Sequence, residues 1–286
     1  MAILTADLIA KLSIPLLARS VVLPATVERV PESDFGGNSG DTVTVRVRGA
    51  RTANVQPNAN TAITLDTISE TGVPVKVEHV YSAAALTEHD LTLSLENFGA
   101  QVLEPAIKAV SRKAEAYIAT AMNGVTADAT VAATPTADEY AAAIKDAGEA
   151  LDNADVEAGG RYVAVSPGVA RLLLDYPAIE DASALGTASA IQDATIGRYA
   201  GFTLVKSSAL TAGSFCAYHR SAFVLANKAP QAVTSADSAI VNEEGYALRV
   251  VRDYDASKLS EIVAVSTFAG ASVVDIDRAY RVTVGA

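Results

Sequence analysis

Residues 42–48 read TVTVRVR, with Val43, Val45 and Val47 alternating against Thr44, Arg46 and Arg48. A period of two sends the valines to one face of a strand and the polar residues to the other. A polar tip, ANVQPNANTA, follows. Then come ITLDTIS and, past Gly72-Val73-Pro74, VKVEHVY, which the pattern joins into a return strand. A long two-stranded ribbon is therefore expected before residue 81. Such a ribbon is marginal alone in water, so it is expected to rest on something other than its own domain.

From about Glu88 the period lengthens. In ENFGAQVLEPAIKAVSRKAEAYIATAMNG, the residues Phe98, Val102, Ala106, Val110, Tyr117 and Ala121 return at helical steps, and Asn123-Gly124 is a stop signal. This predicts a long helix from about Leu95 to Asn123, which Pro105 must either kink or restart. TADEYAAAIKDAGEALDNADV predicts a second helix, with Thr136 as N-cap and Glu139 completing a capping box. RYVAVSP reads as a buried strand and GVARLLLDYP as a short helix stopped at Pro177. FTLVKSS, SFCAYH and AFVLAN add strands. From Tyr246 the chain is mostly β, with turns expected at Asp253–Ser257 and at Ala269-Gly270. The fold class is α+β.

The N-terminal thirty residues are apolar in patches, but Asp7, Lys11 and Arg19 interrupt them, so no uninterrupted span reaches membrane length. They lack the basic start and small-residue cleavage pattern of a signal peptide. Leu8, Leu12, Leu16 and Arg19 follow helical spacing, with Pro15 as a break, and read as an amphipathic arm or as a helix docked on its own core.

The chain has 286 residues, of which 50% are hydrophobic and 19% charged, enough for a sizeable core in one large domain or two ordinary ones. With 22 basic and 33 acidic residues the formal charge is −11, so the mean field repels nucleic acid and anionic membranes. One cysteine, Cys216, forms no intramolecular disulfide and fits synthesis in a reducing cytoplasm.

Candidate chemistry is sparse. Cys216 and His219 sit three apart on a strand and point to opposite faces, so zinc would need a turn and further ligands; a buried thiol and a surface histidine is the simpler expectation. Ser166 in VSPGV is not a nucleophile elbow. GGNSG at 36–40 leads into a strand, lacks the following Lys-Ser or Lys-Thr of a phosphate loop, and reads as a flexible joint. The pairs Asp253/Asp255 and Asp275/Asp277 lie beside turn signals and read as solvated turns. No metal and no cofactor are expected. Arg46, Arg48 and Arg51 form the one cationic cluster. They are either a solvated ribbon face or a contact with an acidic neighbouring subunit.

In IQDATIGRYAGFTLVKSS, the glycines raise three readings: an active-site loop, a phosphate-gripping turn, or a structural corner. The order of parts bears on the choice. LLARSVVLPATVERVPESDFGGNSGDTVTV, GGRYVAVSPGVARLLL, ATIGRYAGFTLVKSSAL and GASVVDIDRAYRV together resemble the tailed-bacteriophage major capsid proteins of the Hong Kong 97 type, over nearly the whole chain.

That resemblance implies an N-terminal arm at 1–38, an extended loop at 39–80, a peripheral domain with a long spine helix at 81–135 and 246–286, and an axial domain at 136–245. It makes Gly197 and Gly201 corner residues and FTLVKSS a strand with no reaction to perform. It implies a non-enzymatic shell protein, synthesised in the host cytoplasm and resident in the virion, that assembles with itself as hexamers and pentamers around double-stranded DNA. Such a shell would use a portal and a separate scaffolding protein, and it could carry a decoration protein. The ribbon tip GARTANVQPNANTA has no lysine and residues 246–286 have no asparagine, so the family's lysine–asparagine crosslink is not expected. An encapsulin-like compartment within the same fold and, from another class, a hydrolase using Ser166 or an acidic pair are the alternatives.

Overall fold

The computed structural model describes residues 22–30, 35, 41–49, 53–56, 58, 62, 63, 65, 67, 69–89, 99–176, 195–243 and 246–285. The expected N-terminal amphipathic segment, the GGNSG joint, Arg51 and Pro177 lie outside them.

Two six-stranded sheets and a two-stranded ribbon carry the fold. The described chain opens with α1 (Leu23–Thr26) and β1 (Glu28–Arg29), followed by the ribbon strands β2 (Thr42–Arg48) and β3 (Glu70–Lys76). Next come β4 (Glu78–Thr87), α2 (Glu104–Gly124), β5 (Ala129–Val131), α3 (Ala137–Asn153), β6 (Arg161–Val165) and α4 (Pro167–Leu174). The remainder is β: β7 (Thr195–Tyr199), β8 (Phe202–Lys206), β9 (Phe215–His219), β10 (Phe223–Lys228), β11 (Asp237–Glu243), β12 (Tyr246–Asp255), β13 (Ser260–Val273) and β14 (Ala279–Val284).

In the first sheet the long strand β13 is the spine. On one side it pairs with β12 along Ser260–Ser266 and then with β10 along Phe268–Val273; on the other it pairs with β4. Asn227 closes the step between β10 and β12. Its side-chain amide donates to Thr267 Oγ1 at 2.9 Å, and its carbonyl oxygen accepts from the Ala247 N–H at 2.6 Å. The second sheet runs β5-β14-β9-β6-β8-β7. Its hairpin β7–β8 turns on Ala200 and Gly201, both with positive φ (49° and 84°), and Gly197 (φ 139°) marks a register shift in β7. The corner residues expected from the sequence are thus a tight hairpin turn and a bulge.

Strands far apart in sequence share each sheet. β10 and β11, within 136–245, pair in the first sheet; β14, within 246–286, pairs in the second. Strand pairing is a long-range choice that local periodicity does not encode.

Helix α2 lies between the sheets. Ile107, Val110 and Ala114 pack on the first sheet with Val250, Val263 and Val265. A turn further on, Ile118 and Met122 pack with Leu23 and Val27 of the arm and with Cys216 and Tyr218 of the second sheet. The other face of that sheet packs on α3 and α4 through Ile144, Leu151, Leu173, Phe202 and Phe215. Both faces of β9 are therefore covered, and all its residues are buried. Thr136 and Glu139 form the expected capping box, with Thr136 N–H donating to Glu139 Oε2 at 3.0 Å and Glu139 N–H to Thr136 Oγ1 at 3.4 Å.

Three expectations are corrected. The α-helix starts at Glu104, after a π-helical turn at Gly99–Leu103, so Pro105 sits in the first turn, where its missing N–H costs nothing. Residues 95–98 of the expected helix lie outside the described set. The Ala269-Gly270 turn does not exist: β13 runs straight through it. The turn expected at Asp253–Ser257 occupies 256–259, since β12 extends to Asp255.

Candidate assembly surfaces

The ribbon has two different ends. At its root Val43 and Val75 face each other in the β2–β3 register and are buried with Val30, Val224 and Ala226. The expectation that the ribbon rests on something other than its own domain is thus corrected for the root, which docks on β10. The return strand is also shorter than the pattern suggested. Ile63, Leu65, Thr67 and Ser69 carry no strand structure, and β3 begins at Glu70 and runs through Gly72 and Pro74. The rungs Val77 N–H to Asp41 O and Gly49 N–H to Ser69 O place the bonded pairs at odd positions, so Pro74, opposite Thr44, occupies a site that needs no N–H.

Farther out, apolar side chains stand in solvent: Val55 is 89% exposed, Ile63 68% and Leu65 82%. Arg46 is 81% exposed and meets Glu70 of the facing strand at 3.5 Å, a solvated pair worth little by itself. Arg48 is placed by its backbone, opposite Glu70. The expected trio is thus one exposed arginine, one residue known by register, and Arg51 outside the described residues. Beneath the ribbon root, a cleft of about 1390 Å³ opens onto the first sheet between Val45, Arg46, Lys228, Phe268 and Arg278. Lys228 Nζ lies 5.5 Å from the ring centre of Phe35 at its edge.

The candidate chemical groups are occupied structurally. Ser166 is buried, and its Oγ accepts from the Gly213 N–H at 3.1 Å, joining β6 to the loop before β9. Burial pushes the Cys216 thiol up to about 12. His219, expected at the surface, is buried, and its Nδ1 lies 2.7 Å from Ser221 Oγ. β9 is an inner strand with both faces covered, which the strand pattern alone did not reveal. Asp255 accepts from the Ser257 hydroxyl and N–H and is held below the usual carboxylate range by them. Asp275 accepts from the Asp277 N–H and pairs with Arg278 at 2.9 Å. Asp255 and Asp275 are turn-forming groups, as expected, whereas Asp253 lies within β12 opposite Ile262. Among the described residues, no group of three or more His, Cys, Asp or Glu could hold a metal ion, and no helix is long and apolar enough to cross a membrane.

Sequence reasoning missed Glu115. It lies on α2 and accepts from Ser207 Oγ at 2.6 Å, tying the helix to the second sheet, and burial raises its carboxyl above the usual range.

No family model matches the chain, and no curated protein matches it. Solved structures do. A chain from Mycobacterium phage Che8 matches with a TM-score of 0.60 at 19% identity, over 91% of this chain and 90% of that one. The capsid structure of Cyanophage P-SCSP1u matches with a TM-score of 0.63 at 14% identity, over 91% and 86%. The virus-like particle from Pyrococcus furiosus matches with a TM-score of 0.56 at 8% identity, over 96% and 97%. The fold is therefore that of phage capsid proteins, followed over nine-tenths of the chain.

Proposed function

We propose that the protein is a major capsid protein whose copies assemble into the icosahedral shell of a tailed phage, enclosing double-stranded DNA without sequence-specific binding and without an enzymatic step. The observation that carries the reading is the pairing of this whole-chain fold with a ribbon whose root is buried on its own subunit and whose outer part presents Val55, Ile63 and Leu65 to solvent. Burying each such side chain against a neighbour contributes up to about 1.5–3 kcal/mol, which a single copy forgoes. Arg46, Arg48 and Arg51 are assigned as contacts with acidic groups of the adjacent subunit, with Glu70 the intramolecular stand-in for Arg46.

Within this reading the arm is 1–38 and the extended loop 39–80. The peripheral domain with its spine helix α2 is 81–135 with 246–286, and the axial domain is 136–245. Hexamers and pentamers of the chain, a portal and a separate scaffolding protein complete the assembly, and a decoration protein has the outer surface available. Synthesis occurs in the host cytoplasm and residence is in the virion. An acidic wall suits a packaged genome, since tight phosphate binding would hinder its movement.

Electron microscopy of the purified chain, alone and coexpressed with a separate scaffolding protein, tests the reading. Closed particles are expected; a strictly monomeric species in every condition would overturn it. Adjacent portal and terminase genes are expected, whereas an adjacent cargo-enzyme gene would favour the encapsulin-like compartment.

A further inference from the structure

Among the described residues β4 (Glu78–Thr87) is an edge strand, and the backbone of its middle residues has no strand partner on the side away from β13. Its strand partner among the described residues is β13, in the register Glu78↔Ala269 to Thr87↔Ser260. The Glu88 N–H donates to the Leu259 carbonyl, which extends that register by one rung and aims the even-numbered backbone groups of β4 at β13. The backbone N–H and C=O of Tyr81, Ala83 and Ala85 therefore point away from the sheet.

Natural edge strands are guarded by charge, proline or a bulge. From His79 to Thr87 the sequence HVYSAAALT has no charged carboxylate, lysine, arginine or proline, and the β4–β13 register has no bulge. On the face away from α2, Tyr81 is 68% exposed. The edge also continues the line of the ribbon. Strand β2 pairs with β3 as far as the Val77 N–H to Asp41 O rung, and Phe35 meets Lys228 on the β10 side.

We propose that the β4 edge pairs antiparallel with the β4 edge of a second copy about a two-fold axis at Ala83. Parity admits this register, because opposite residues must both aim their backbone groups at the partner or both away. Ala83 then faces the second copy's Ala83, and Tyr81 faces its Ala85. On the other face Val80 faces Leu86 and Ser82 faces Ala84. Each large side chain meets a small or apolar one, and the centre holds the smallest, so the edges approach without overlap. A rung set this short buries less than the roughly 1,200 Å² of a stable complex, so the pairing forms where other contacts already concentrate the copies, as in a shell. The proposal goes beyond the shell reading, since it names the surface and its register.

Cysteine crosslinking of the full chain tests it. In a bonded antiparallel pair the Cα atoms stand about 5.5 Å apart, within the range of a disulfide. Cys216 is buried and does not compete. Ala83→Cys, oxidised in assembled or concentrated protein, should give a covalent dimer at least about tenfold above Leu174→Cys, an exposed control. Mixed Tyr81→Cys and Ala85→Cys chains should crosslink to one another and not to themselves. Ala83→Pro, which removes only an outward N–H, should abolish non-covalent pairing while leaving the circular dichroism of the subunit intact.

Equal crosslinking of the control, no dimer from Ala83→Cys, or crosslinking of that cysteine to one placed at Ser13 in the N-terminal arm would each overturn the proposal. Particles that form normally without the Ala83→Cys crosslink would sink this contact and leave the shell reading standing; crosslinked dimers without particles would do the reverse.

Discussion

Gly270 of β13 stands directly beneath the Lys76 carbonyl, where the ribbon strand β3 hands over to β4; a Cβ at position 270 would overlap that oxygen. The ribbon crosses the first sheet at the one place where the sheet has no side chain. The glycine that resembled a turn signal is a crossing point, and it fixes how closely the ribbon root seats on Val224 and Ala226.

Gly270→Ala is therefore expected to lift the ribbon root and destabilise the subunit by about 1–3 kcal/mol, the usual range for overpacking. Denaturant unfolding of the unassembled protein measures it. An unchanged midpoint would mean that the crossing relaxes freely.

Asn227→Leu removes the acceptor for the Ala247 N–H and both bonds to β13, leaving polar groups buried without partners. A loss of about 1–3 kcal/mol is expected. Hydrogen exchange at Ala247 should speed up before the rest of β12 is affected, and uniform exchange would argue against a local closure.

Thr136→Ala deletes the half of the capping box in which Thr136 Oγ1 accepts from the Glu139 N–H, leaving the backbone N–H of residue 136 to Glu139, and should cost about 1 kcal/mol in urea unfolding. Thr136→Ser should restore most of it.

Burial raises both the Cys216 thiol and the Tyr117 hydroxyl, each to about 12, with the hydrogen bond to Glu78 adding to the shift at Tyr117. Their ordinary values are 9.0 and 10.0. Between those values and about 12 the unfolded chain has lost protons that the folded chain keeps, so stability falls as pH rises through that window. Cys216→Ala should flatten the alkaline part of the melting-temperature profile. Cys216 should also resist thiol reagents at pH ~8 until the protein unfolds.

Glu115 follows the same sign in acid. Its raised carboxyl stays protonated in the folded state at a pH where the unfolded chain has already ionised. Glu115→Gln keeps an acceptor for Ser207, so it should be more stable than the parent at neutral pH and equal to it once the carboxyl is protonated. A variant less stable at neutral pH would show that the Ser207 and Arg112 interactions outweigh the burial.

Reversing Arg46 to glutamate places two like charges beside each other with Glu70 and removes the proposed contact with a neighbour. Sedimentation should show fewer or weaker shells while the subunit's circular dichroism is unchanged. Normal shells would return Arg46 to a solvated role.

What the sequence determined by itself was local. Thr136-x-x-Glu139 announced its cap, the 42–48 alternation its strand, and Asn123-Gly124 the end of the long helix, because caps, pleats and turns depend on residues a few positions apart. Tertiary structure alone decided the rest. β13 pairs with β12 across a short turn but takes β4 and β10 from farther along the chain, and β14 joins the second sheet. Coverage of both faces of β9 buried His219, and the crossing of Lys76 explained Gly270. Each of these depends on which surfaces meet after long loops close, and residue spacing along one chain does not specify that.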